Sequence, residues 1–218
     1  MEIIMSFEDF RNQNILGKIG RMLELTIGRT PTRILNQYLY DIVGNDFTGW
    51  SNREVPDFNK INLLKQYAMD YPQCTTFIET GTYFGNTTLA LSDTFKHLHT
   101  IEVDPWLFRK AKTKFLKYPQ CTCHYGDSSK ILPALLDTID EPILYWLDAH
   151  YSGGITSHGD AEIPILMELE AICKHKHIKT SAILIDDARV LDINAISKIV
   201  VKNDGLRMVI KDDIIRIT

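Results

Sequence analysis

"FIETGTYFGNTTLALS", residues 77–92, is the stretch from which the fold can be read. An apolar start at Phe77-Ile78 runs into Glu79 and Gly81; Gly85 follows, and a helical pattern opens at Asn86 and continues to Thr94. A short apolar run that closes on an acid and glycines and then opens a helix is the strand-to-helix turn of a parallel α/β unit. Glycine permits the tight turn and lets a ligand approach the backbone, while the first helical turn offers N–H groups without intrahelical partners. The loop has no Gly-x-Gly-x-x-Gly series. Tyr83 and Phe84 stand where a diphosphate needs bare backbone, so the loop suits a ligand that lacks one.

The same alternation recurs along the chain. Strands are predicted at Thr75 to Gly81, His97 to Asp104, Cys121 to Asp127, Pro142 to His150 and Ser181 to Arg189. Between them, helices are predicted at Asn86 to Thr94, Pro105 to Lys117, Ser129 to Leu136, Ala161 to His175 and Asp192 to Lys202. Such repetition implies a parallel sheet covered on both faces by helices. "LRMVIKDDIIRIT" at the end breaks the pattern: two β-branched runs flank Lys211-Asp212-Asp213 and predict an antiparallel hairpin. The expected architecture is therefore a seven-stranded, mostly parallel α/β sheet over residues 59–218. A helical extension over residues 1–58 precedes it, broken at Gly28 to Pro31 and again from Gly44 to Pro56. Its Tyr38, Tyr40 and Trp50 are read as core, with a substrate pocket or a homodimer contact as the other use of such aromatics.

Composition narrows the function classes. With 218 residues and 44% hydrophobic content the chain can bury a sizeable core. A net charge of −4, with no lysine or arginine cluster interleaved with aromatics, argues against nucleic acid as a partner. "MEIIMSFEDFRNQN" meets acids too early for a signal peptide, and no run approaches about 20 apolar residues. A cytoplasmic protein with no membrane segment is expected. Cys74, Cys121, Cys123 and Cys173 are too scattered for a disulfide framework and are read as reduced thiols.

Ligands of an open parallel α/β sheet bind beyond the carboxyl ends of the strands, and here those ends carry acids. Glu102 closes the second strand about 20 residues after Gly81, where a carboxylate can accept both hydroxyl hydrogens of a ribose. "YGDSS" closes the third, offering Asp127 to an adenine amino group and the Ser128 N–H to a ring nitrogen. "ETGTYFGNT", "IEVD", "GDSS" and "LDAH", in this order and spacing, resemble the class I S-adenosylmethionine-dependent methyltransferases, whose Rossmann-like sheet also ends in an antiparallel strand. The resemblance covers roughly residues 59–218. It implies that Glu79, Gly81, Thr82 and Gly85 serve the methionine part of S-adenosylmethionine, Glu102 the ribose, and Asp127 with Ser128 the adenine; Asp148 is expected to be catalytic with His150 and to link the cofactor to a divalent metal. One departure is Tyr83, where the family loop carries a glycine.

"LDAH" ends the fourth strand and "IDDAR" the fifth, and neighbouring strands run only about 5 Å apart, so Asp148, Asp186 and Asp187 can converge. Carboxylates packed together repel, and a divalent cation would neutralise them; all-oxygen ligation suits Mg²⁺ or Mn²⁺ rather than zinc. The trio is similar to the metal site of cation-dependent sugar O-methyltransferases, and His150 then stands where their general base stands. A neutral imidazole can accept a hydroxyl proton near neutral pH. Consecutive strand residues point to opposite faces, so Asp186 and Asp187 share an ion only if the chain turns between them; otherwise one braces the loop or pairs with Arg189. His97, His99, His124, His175 and His177 are read as structural.

After His150, "YSGGITSHGDAEIP" is read as a loop hinged at Gly153-Gly154, with Ser157, His158, Asp160 and Glu162 as substrate contacts or, for Asp160, a helix cap. "WLDAHYSGG" and "ILIDDAR" also resemble small bacterial methyltransferase-like proteins associated with surface polysaccharides. The expected function is O-methylation of a sugar, glycan or other small hydroxylated acceptor by S-adenosylmethionine. Two other readings stay open: a non-catalytic S-adenosylmethionine-binding module, and a nicotinamide-dependent oxidoreductase.

Overall fold

The structure, a computed structural model, describes residues 57–148 and 164–218. The N-terminal extension up to residue 56, His150 and the loop through residue 163 lie outside the described residues.

The described chain opens on helix α1 (Phe58–Asp70), whose first turn is capped by the Asp57 carboxylate accepting from Asn59 N–H at 2.9 Å. Next come strand β1 (Thr76–Thr80), the short helix α2 (Asn86–Ala90), β2 (His97–Glu102) and α3 (Pro105–Lys114). They lead to β3 (Cys121–Tyr125), α4 (Ser128–Leu136), β4 (Ile143–Leu147), α5 (Pro164–Ile172) and β5 (Ala182–Ile185). Helix α6 (Ile193–Val201) then leads to the hairpin of β6 (Met208–Lys211) and β7 (Ile214–Ile217). Asp104, Asp127 and Asp192 cap α3, α4 and α6 in the manner of Asp57.

The seven strands lie in the order β3-β2-β1-β4-β5-β7-β6. Strands β1 to β5 are mutually parallel, and β7 runs antiparallel between β5 and β6. The chain moves from β1 outward through β2 to β3, then returns to add β4 on the other side of β1. That reversal opens a crevice at the carboxyl ends of β1 and β4.

Every residue of β1, β4 and β5 is buried, because helices cover both faces; this is why β4 and β5 read as continuous apolar runs, while β1 buries Thr76, Glu79 and Thr80 beside Phe77 and Ile78. One core holds Ile78, Tyr145 and Ile183 against Leu132 of α4, Leu169 of α5 and Ile196 of α6. The other holds Phe77, Trp146 and Leu184 with Leu64 of α1 and Ala111 of α3. Strand β6 is the open edge, with Val209 and Ile210 exposed.

Several element boundaries differ from the sequence expectation: β5 ends at Ile185, four residues before the predicted Arg189, α5 ends at Ile172 and not His175, and two helices change before their predicted ends. Helix α2 stops at Ala90, four residues short of the predicted end, where Leu91 N–H turns back to Thr88 O; β-branched Thr87 and Thr88 and the Ser92-Asp93 pair are weak helix formers. Helix α3 tightens over Phe115–Lys117 into a 3₁₀ turn. The predicted hairpin is present, closed by Asp212 and Asp213 at φ 55° and 62°, which is the twist a two-residue turn needs.

Candidate functional site

The loop from β1 into α2 passes three times through the left-handed region, at Gly81 (φ 83°), Tyr83 (φ 51°) and Gly85 (φ 71°). Gly85 has no room for a side chain: a Cβ there would lie 2.7 Å from Phe115 Cζ. Tyr83 takes the conformation its glycine counterpart would take freely, at a cost of about 1 kcal/mol. Two contacts hold it. Its N–H donates to Glu102 Oε2 at 2.8 Å, and its ring meets that of Phe84 edge-on at 4.5 Å between centroids.

The acids behind this loop point inward. Glu79 sits one residue before the end of β1, fully buried, its Oε2 accepting from the hydroxyls of Thr88 at 2.5 Å and Thr100 at 3.1 Å. Burial pushes its carboxyl up to about 7 against the pull of those hydroxyls. Thr82 is also buried, its hydroxyl 2.6 Å from that of Thr100, so its side chain braces the loop from beneath.

Glu102 closes β2, with Oε1 accepting Asp104 N–H and Oε2 accepting Tyr83 N–H, each at 2.8 Å. Burial raises its carboxyl to about 7, although those backbone donors favour the charge. A carboxylate offers about four lone-pair sites, so acceptor capacity remains for sugar hydroxyls. Asp127 follows β3 and caps α4, accepting Ser129 N–H at 3.0 Å and the Ser129 hydroxyl at 2.7 Å. Ser128 beside it is buried.

Sequence reasoning passed over Glu168, one of two glutamates in "PILMELEAI". It is fully buried, accepts the Thr80 hydroxyl at 3.2 Å, and is raised to about 7 by burial. Its Oε1 has no hydrogen-bond partner among the described residues. No pattern in the sequence separates it from Glu170, because both occupy a helix whose apolar stripe is wide.

At the ends of β4 and β5 the structure brings Asp148 and Asp186 onto one face. Leu147 pairs with Ile185, which puts Asp148 opposite Asp186 one step further on; both continue the row of Trp146 and Leu184. Asp186 is buried, its Oδ1 accepting Asp187 N–H at 2.8 Å. The chain does turn between the two acids: Asp187 has φ 52°, and its Oδ1 pairs with Arg189 Nη1 at 2.7 Å. Arg189 also pairs with Asp213 from the hairpin turn.

Lys60, on the first turn of α1, reaches into this group and forms an ion pair with Asp186 Oδ2, its Nζ 6.0 Å from the centre of the Trp146 ring. Burial pulls Lys60 down, but the bond to Asp186 and the charges of Asp186, Asp148 and Asp187 outweigh it and hold the ammonium above its ordinary value. Burial first, and then the Asp186 charge, hold Asp148 well above the usual carboxylate range. The metal expectation took a divalent cation as the charge that neutralises these acids; at Asp186 that charge is the Lys60 ammonium. Among the described residues no group of three or more His, Cys, Asp or Glu is placed to hold a metal ion. With Asp186 bound by Lys60 and Asp187 by Arg189, the residues present do not fit an all-oxygen divalent site.

Of the remaining described histidines, His97 is exposed at the start of β2 and the others bond within the fold. His99 Nδ1 lies 3.1 Å from His124 Nε2, His175 Nε2 lies 3.0 Å from Ile139 O, and His177 bonds Asp140.

Comparison with solved structures identifies the fold. A methyltransferase from Podospora anserina, PaMTH1, solved with SAH, aligns over 100% of this chain and 98% of its own, with 14% identity and a TM-score of 0.57. A putative O-methyltransferase from Klebsiella pneumoniae aligns over 84% of this chain and 94% of its own, with 14% identity and a TM-score of 0.54. The chain has the class I methyltransferase fold. An O-methyltransferase from Bacillus cereus, also in complex with SAH, shares that methyltransferase fold at 12% identity and a TM-score of 0.51, over 84% of this chain and 96% of its own. No family model and no curated protein sequence matches the chain. In a methyltransferase fold the glycine loop, Glu102 and Asp127 stand along one side of the crevice, and Asp148 with Asp186 along the other. No helix among the described residues is long and apolar enough to cross a membrane.

Proposed function

We propose that the chain is an S-adenosylmethionine-dependent methyltransferase acting on a hydroxyl oxygen of a small acceptor, a sugar or glycan unit. The observation that carries this reading is Glu102: a buried carboxylate at the end of β2, bonded to the glycine-loop backbone and keeping acceptor capacity for a ribose. The absence of a diphosphate loop separates it from a nicotinamide enzyme.

S-adenosylmethionine supplies a methyl group on a positively charged sulfur, open to in-line displacement. The chain's residues hold and orient the partners. Glu102 accepts the ribose hydroxyls, Asp127 and the Ser128 N–H take the adenine edge, and Gly81 and Gly85 let the methionine part lie close to the backbone. The acceptor oxygen must sit behind the methyl and lose a proton, which is assigned to His150 as a neutral imidazole. The acid-rich strand ends suit a polyhydroxylated acceptor, since carboxylates accept from several hydroxyls at once. A divalent ion has no part in this mechanism, because the positive charge beside Asp186 comes from Lys60.

The test is methyl transfer from labelled S-adenosylmethionine to monosaccharide and nucleotide-sugar acceptors. Incorporation at oxygen is expected, and His150→Ala should lower turnover about 10²- to 10⁴-fold while leaving S-adenosylhomocysteine affinity unchanged. Function that survives His150→Ala would instead favour a binding module.

A further inference from the structure

The inner face of α5 is apolar at Ile165, Leu169 and Ile172, the spacing of a helix stripe turned to the core. Glu168 stands in that stripe, fully buried. Burying a carboxyl costs stability that an apolar side chain in the same place would not, so its presence has to be explained by what it bonds. Two groups favour its charge, the hydroxyls of Ser128 and Thr80, and the nearby Asp127 charge opposes it.

Both hydroxyls belong to elements that border the crevice. Thr80 is the last residue of β1; its hydroxyl donates to Glu168 Oε2 at 3.2 Å, and its carbonyl accepts Asp148 N–H at 3.0 Å from the end of β4. Ser128 is the first residue of α4, directly after the Asp127 cap. Its buried hydroxyl faces Glu168, while its N–H belongs to the first helical turn, whose donors have no intrahelical carbonyl. Leu132 and Leu136 of α4 share one core with Leu169 of α5, so the contact is made where the two helices are packed.

We propose that Glu168 is a positioning residue for the adenine edge of the cofactor: from α5 it ties the start of α4 to the end of β1, and so sets where Asp127 and the Ser128 N–H stand. Being fully buried, it acts through Ser128 and not on the ligand itself. The role rests on the reading of Asp127 and Ser128 as the adenine contacts.

The test is calorimetric titration of the full chain with S-adenosylhomocysteine and with S-inosylhomocysteine, in which a carbonyl replaces the adenine amino group and the ring nitrogen beside it carries a hydrogen. With both edge contacts mismatched in the second compound, the wild type should prefer the first by about tenfold or more. Glu168→Leu, which fills the space without an acceptor, should lower S-adenosylhomocysteine affinity about tenfold, leave S-inosylhomocysteine affinity within about twofold, and so erase the preference. Glu168→Gln keeps an acceptor oxygen and should retain most of it. Ser128→Ala deletes the hydroxyl and keeps the N–H; it should lose the preference too, add nothing when combined with Glu168→Leu, and serve where the leucine variant does not fold. Equal losses for both compounds would show plain destabilisation, and a preference unchanged in the folded variants would show that α4 is set without Glu168. Either result overturns the inference while leaving the methyl-transfer reading intact, as does a wild type that binds both compounds alike. A wild type that binds neither would sink that reading, and the role of Glu168 with it.

Discussion

Glu102 illustrates how much a single residue can carry and how the same residue sets a pH dependence. Burial raises its carboxyl from the ordinary 4.5 to about 7 in the ligand-free fold, so the folded chain favours the protonated form. The stability this gives is fully present below pH 4.5 and is lost as pH rises through 7. Ribose hydroxyls need the ionised form as acceptor, so binding draws the proton off and affinity should rise between about pH 6 and pH 8. For Glu102→Gln, S-adenosylhomocysteine affinity at pH 8 should fall about tenfold, the scale of one hydrogen bond to a charged group, and this rise should vanish. Titration calorimetry at three pH values reads both effects; a pH rise that persists in the variant would place the titrating group elsewhere. Glu102 was legible from its distance after the glycine loop, whereas Lys60 and Glu168 were not. A lone lysine on an amphipathic helix and a lone glutamate in an apolar one carry no local sign of burial, since tertiary packing alone decides it.

At the scale of elements, the acid-ended strands and the Asp-capped helices were readable because local chemistry sets each of them. Asp104-Pro105 starts α3 with a cap and a fixed φ, and Asp212-Asp213 accepts the left-handed twist of the β6–β7 turn. What stayed hidden was the conformation of the β1–α2 loop. Tyr83 departs from the glycine expected there yet keeps a glycine's backbone, held by its N–H bond to Glu102 and its edge-on contact with Phe84. Gly85 shows the opposite constraint, combining a left-handed φ with a Phe115 ring against its α-carbon. Gly85→Ala should therefore cost about 2–4 kcal/mol, from overpacking and the strained backbone together, and lower the melting temperature by roughly 5–10 °C. Adding Phe115→Leu should restore part of the loss but not the backbone share. A Gly85→Ala chain that melts with the wild type would show that the loop relaxes freely.

For the whole molecule, a mostly parallel sheet closed by an antiparallel hairpin followed from the alternation of apolar runs and helical patterns. Strand order itself cannot be read from hydrophobic periodicity; the resemblance of "ETGTYFGNT", "IEVD", "GDSS" and "LDAH" to methyltransferases implied only the antiparallel end of the sheet, and the position of β7 between β5 and β6 is read from the structure. The order matters because it places the glycine loop, Glu102 and Asp127 on one side of the β1–β4 crevice and Asp148 with the Lys60-bound Asp186 on the other. That separation is what the proposed reaction requires: a nucleoside side with no diphosphate cradle and an acceptor side rich in carboxylates. The most direct test is calorimetric titration of the full-length chain with S-adenosylmethionine, S-adenosylhomocysteine and NAD under one buffer. One site for each sulfur nucleotide and no heat with NAD is the predicted result; no binding of either sulfur nucleotide, or saturable binding of NAD alone, would contradict it.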